Sequence, residues 1–219
     1  MLKKVLICAV TIAALLSFGC DGEEKIVGTP DKAILAYAET VMTGDSANLQ
    51  AAGFSEDDKN ALRQTVANRF IESMATVAPL GDEAAQELTQ IYFANIKDKM
   101  TFKATLKSEG DQPVVELTTT PIDYETTAKA GAVGNDEFIA LMGMVGKLKA
   151  DGATDEQLKN SPDVQKLAVT AIGKYIAGIS FQPEKTFEIP CQKVTGADGN
   201  AHWMPVDGKI FIDTLTGQK

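Results

Sequence analysis

The hydrophobic period of this chain switches between helical and extended three times, and that alternation most constrains the fold. Thr29-Pro30-Asp31 places an N-cap residue before proline, and Ile34, Ala38, Val41 and Met42 follow at helical spacing until Gly44-Asp45. Ser55-Glu56-Asp57-Asp58 opens a second helix lined by Leu62, Val66, Phe70, Met74 and Val77, ended by Pro79. Asp82-Glu83 starts a third, with Leu88, Ile91 and Ile96 inward. The period then becomes two. Phe102, Ala104 and Leu106 alternate with Lys103, Thr105 and Lys107, and Glu109-Gly110-Asp111 turns the chain into Val114–Thr120. Helical spacing returns with Phe138, Leu141, Val145 and Leu148. After the capping-box pattern Thr154-Asp155-Glu156-Gln157 and the restart at Ser161-Pro162-Asp163, it continues with Leu167, Ile172, Tyr175, Ile176 and Ile179. A second extended pair closes the chain: Phe187, Ile189 and Cys191 alternate, Asp198-Gly199-Asn200 turns, and Ala201 to Val206 returns. Phe211 to Gly217 reads as a last strand or one short capped helical turn. Helices, hairpin, helices, hairpin in one chain predicts α+β: an antiparallel sheet of about four to five strands with helices on one face.

Upstream of this pattern the composition breaks at one cysteine. Lys3 and Lys4 precede an apolar run from Val5 to Leu16, too short for the ~20 residues of a spanning helix. Small residues follow, and charge begins at Asp21. Residues 1–19 therefore read as a secretory signal peptide. Ser17-Phe18-Gly19-Cys20 resembles the bacterial lipobox, with Ser17 where Leu is usual and Leu16 one step before it. The resemblance implies cleavage before Cys20 and a diacylglyceryl group on its thiol; the alternative is a secreted chain cut elsewhere. Two acyl chains hold a protein stably on a bilayer, at about 0.8 kcal/mol per buried methylene. Residues 20–28 read as a lipidated tether and 29–219 as a single α+β domain. The expected location is the cell membrane, lipid-anchored, on its extracytoplasmic face.

Charge and cysteine use narrow the partners. Without Lys3 and Lys4, 19 cations face 30 acids, a side-chain charge of −11. Such a chain repels phosphate backbones, so no nucleic-acid partner is expected. Cys8 leaves with the leader and Cys20 is consumed by lipid, so Cys191 has no disulfide partner. On the apolar side of its strand it reads as a small buried hydrophobe.

The candidates for chemistry are few. Glu56-Asp57-Asp58, Asp82-Glu83, Asp136-Glu137 and Asp155-Glu156 each open a helix, where negative charge complements the dipole. His202 is the only histidine and reads as an exposed hairpin residue rather than a catalytic base. Zinc needs several His or Cys ligands, which the chain lacks. Asp198-Gly199-Asn200 is a turn and not a calcium loop, and Gly143 and Gly146 fall in a helical stretch without a phosphate-loop context. Trp203 packs on the sheet or, less simply, lines a pocket. No catalytic residue, metal or cofactor is expected.

Three segments together resemble a family. "TPDKAILAYAETVMTGD", "FKATLKSEGDQPVVELTTTPIDY" and "GNAHWMPVDGKIFIDTLTG" are similar to uncharacterised Firmicutes-type lipoproteins with an NTF2-like (cystatin-like) domain, of the DUF5105/DUF4878 kind. The resemblance spans about Thr29 to Gly217, with a helical insertion from about Glu125 to Ser180. It implies a curved antiparallel sheet with helices in its concavity, sometimes forming a pocket, and it supplies no catalytic residues. The expected function is a lipid-anchored envelope protein, not an enzyme, that binds a small ligand or another envelope component. The alternative is a hydrolase acting on envelope material through two acidic residues in a sheet pocket. A third possibility is an assembly partner with no pocket.

Overall fold

The computed structural model describes residues 26–75, 78–123, 125–127, 129 and 136–217. The expected signal peptide (residues 1–19), Cys20 and the helix-face position Val77 lie outside the described residues. In chain order the elements are α1 (Pro30–Thr43), a 3-10 turn (Gln50–Ala52), α2 (Glu56–Ala75), α3 (Asp82–Lys99), β1 (Phe102–Ser108), β2 (Val114–Thr119), α4 (Asp136–Ala150), α5 (Asp155–Lys159), α6 (Pro162–Ala177), β3 (Lys185–Thr195), β4 (Ala201–Pro205) and α7 (Gly208–Leu215). The fold is α+β with one open four-stranded antiparallel sheet, in the order β1-β2-β3-β4. The chain divides into two compact units, a sheet unit and a helical unit.

The sheet unit holds the described residues up to Ala67, then Lys99–Ile122 and Phe181 onward. Strand β2 sets its pattern: Val115, Leu117 and Thr119 are buried while Val114, Glu116 and Thr118 are half-buried. Pairing carries that face sideways from Leu117 to Ala104 and Phe187 and from Val115 to Ile189, while Leu106, also opposite Val115, is exposed. The opposite face is solvated. There Lys107 pairs with Glu188 and, at 3.4 Å, with Glu116, and Thr118 bonds Thr186 at 2.8 Å. Helix α1 packs on β1, β2 and β4. Its buried residues run around most of its circumference, from Ala33, Ile34 and Tyr37 to Val41 and Met42. A helix apolar on so much of its surface is a core helix. The buried Thr40 hydroxyl donates to the Ala36 carbonyl at 2.8 Å, so it costs little. Truncating Ile34 to alanine would cost about 2–5 kcal/mol. The chain end is a helix: Asp207 caps α7 by accepting from the Ile210 N–H at 2.8 Å.

Strand β3 serves two partners in succession. Lys185–Pro190 pairs with β2, and Cys191–Thr195 pairs with β4. The β3–β4 hairpin therefore projects about five residues beyond the last β2 pairing, some 17 Å at strand rise.

The helical unit holds Asn68–Asp98 and Asp123–Ser180. The region expected as an insertion from Glu125 thus groups with α3 and the second half of α2. Phe70 on α2 stacks on Tyr92 of α3, with centroids 4.5 Å apart. Thr154 and Gln157 form the expected capping box at α5. Thr29 and Ser161 stand at N-cap positions but make no side-chain cap bond; proline at the first helical position serves there instead.

Candidate functional site

The sequence candidates separate once folded. The acidic runs Glu56-Asp57-Asp58, Asp82-Glu83, Asp136-Glu137 and Asp155-Glu156 occupy the first turns of α2, α3, α4 and α5, as expected. Asp58 also holds tertiary structure. It exchanges bonds with Ser55, its Oδ2 accepting from the Ser55 hydroxyl at 2.6 Å, while its Oδ1 accepts from the Ala197 N–H at 3.3 Å. Catalytic acids need carboxyls pushed upward. Here Asp123, Glu137, Asp155 and Asp198 are each held below the ordinary carboxylate range. The causes are hydrogen bonds from Thr126, Lys174, Lys149 and Asn200 respectively.

His202 is a correction. It is not an exposed hairpin residue; it is 4% exposed. Phe54, which follows the 3-10 turn, stacks on its ring at 4.1 Å. Its Nδ1 is buried without a hydrogen-bond partner. Burial pushes the imidazole pKa down, against the upward pull of Asp58 and Asp198. No sequence signal near His202 announced this, because its cover comes from about 150 residues upstream. Pairing puts His202 opposite Val194 and Trp203 opposite Lys193, so the two point to opposite sides of the ribbon. Trp203 is buried, and the Lys193 ammonium lies 5.4 Å from its ring centroid. Cys191 is buried, its thiol donates to the Ile189 carbonyl at 3.3 Å, and burial pushes its pKa up to about 12. A thiol held in that form is a poor nucleophile. Among the described residues no group of three or more His, Cys, Asp or Glu side chains is placed to hold a metal ion.

A concave site lies in the helical unit, where sequence reading did not place one. It is a half-open groove of about 810 Å³ between the start of α3 and the α5–α6 corner. Gln165 holds its two walls together. Its Oε1 accepts from the Gly81 N–H at 2.7 Å, and its Nε2 donates to the carbonyls of Pro79 at 2.8 Å and Leu158 at 3.0 Å. The walls meet so closely that a Cβ on Gly81 would lie 2.7 Å from the Lys159 carbonyl oxygen. Asp82, Glu83, Ala84 and Glu87 on α3 line one wall, and Lys159, Lys166 and Val169 line the other. Among the described residues no ion pair joins these two sets. Charges of both signs in one groove suit a dipolar ligand or a peptide segment. The described residues that line the groove include no serine, cysteine or histidine.

No protein-family model matches the sequence, and no curated protein matches it. Among solved structures the fold is similar to the crystal structure of ycdA, a candidate lipoprotein of Bacillus subtilis subsp. subtilis str. 168, with a TM-score of 0.53 at 16% identity. The match covers 84% of this chain and 54% of that one, so this chain spans about half the length of its structural neighbour.

Proposed function

We propose that this chain is a lipid-anchored cell-envelope protein, held at the extracytoplasmic face through Cys20, whose folded part binds a small ligand or another envelope component without catalysis. The observation that carries the anchor is the seam at Gly19-Cys20, where a short apolar leader gives way to charge. Two findings support it. The protein with a similar fold is itself a candidate lipoprotein. Among the described residues no helix is long and apolar enough to cross a membrane, which is consistent with attachment through lipid. The finer likeness to NTF2-like lipoproteins of the DUF5105 kind belongs to the same proposal.

The groove beside Gly81 is the surface we assign to binding. Its two charged walls favour a ligand bearing both signs of charge over a purely apolar one. The test uses the full chain in its own envelope, with a photoreactive residue replacing Thr170 in the groove or Ser108 at the end of β1. A discrete adduct from the groove position alone is expected, diminished by Glu83→Lys with Glu87→Lys. Identical adducts from both positions, or none from either, would refute the assignment.

A further inference from the structure

The chain does not enter its fold as a free tether. Ile26 forms a parallel bridge with Ala201, and the Val27 N–H donates to the Ala201 carbonyl at 3.0 Å. Gly28 and Gly53 then let two backbones cross. Both have positive φ, at 78° and 99°, and a Cβ on Gly53 would stand 2.2 Å from the Val27 carbonyl oxygen. No other residue type fits that crossing without displacing the chain. The expected tether of residues 20–28 is therefore docked on the sheet unit over its last three residues.

The bridge also has a direction. Strand β4 begins at the β3–β4 hairpin and runs away from it, from Ala201 to Pro205. A segment parallel to β4 runs the same way, so the chain reaches Ile26 from the hairpin end. From Cys20 to Ile26 there are six residue steps, at most about 21 Å of extended chain. We infer that the hairpin end of the sheet unit, around Ala197, is its membrane-proximal end, held within roughly that distance of the bilayer; this rests on lipidation at Cys20. Glu56, Asp57, Asp58 and Asp198 lie at or beside this end. An anionic headgroup layer repels them over a Debye length of about 8 Å, so the unit stands off the surface instead of lying in it. The far end of the same strand, at Lys185, is ten residues from Thr195, about 33 Å along β3.

The test is energy transfer from single dyes to a headgroup-linked acceptor in phosphatidylethanolamine–phosphatidylglycerol vesicles. The lipidated full chain carries Ala197→Cys or Glu184→Cys, both exposed positions, in a Cys191→Ala background. Transfer severalfold greater from position 197 is expected. A flexible Gly-Ser insertion between Glu24 and Lys25 should abolish most of that difference. Equal transfer from the two dyes, greater transfer from 184, or an unchanged difference after the insertion would overturn the orientation while leaving the anchor intact. Vesicle binding undiminished by Cys20→Ser would remove the anchor, and the orientation with it.

Discussion

His202 shows how one side chain couples packing to pH. Burial under Phe54 holds its pKa below the ordinary value near 6.5, and Asp58 and Asp198 only partly offset this. Between the folded pKa and about 6.5 the unfolded chain binds a proton that the folded chain does not. Stability is therefore complete well above pH 6.5 and falls as pH descends through that value towards the folded pKa. The lowered carboxyls of Asp123, Glu137, Asp155 and Asp198 act in a different window, losing their contribution as pH falls through their unfolded values, near 3.8 for the aspartates and 4.5 for Glu137, towards the lower folded ones. His202 is the only histidine, so the slope of stability between pH 7.5 and 5.5 belongs to it. Urea unfolding at several pH values should show stability dropping across this range, and His202→Phe should flatten the profile. A slope that survives the substitution would contradict the burial of the neutral ring.

At the scale of elements, Gln165 on α6 joins three backbone groups from two segments: Pro79 and Gly81 in the loop before α3, and Leu158 on α5. Each such bond contributes about 1 kcal/mol net, so Gln165→Ala should destabilise by about 2–3 kcal/mol in denaturant unfolding. A change under about 0.5 kcal/mol would show that water replaces the amide without loss and that the groove walls do not depend on it. Local chemistry made most elements legible. The Thr154–Gln157 box, the two hairpin turns and the faces Leu62-Val66-Phe70-Met74 and Ile34-Ala38-Val41 all sit where spacing and capping placed them. Contacts made between distant stretches were not legible. Nothing near His202 signals Phe54, nothing in Ile26-Val27 signals β4, and the groove needs Gly81 beside Lys159. The stagger of β4 on β3 was equally hidden, because alternation specifies which face a residue takes but not which half of a long strand it pairs with.

For the whole molecule, α2 runs without interruption through the division between the two units at Ala67 and Asn68. On that continuity we expect residues 29–219 to unfold in one cooperative step, with a midpoint unchanged by reductant because Cys191 is buried and free. Two separated transitions in calorimetry would instead assign independent stability to each unit. The proposed function depends on where this fold is held, and its proposed anchor is Cys20. Intact and peptide mass spectrometry of the protein purified from membranes tests it most directly. A mature chain beginning at Cys20 is expected, residues 1–19 absent, with the mass of a diacylglyceryl group on that cysteine. An N-terminus at any other residue, or an unmodified Cys20 thiol, would contradict it.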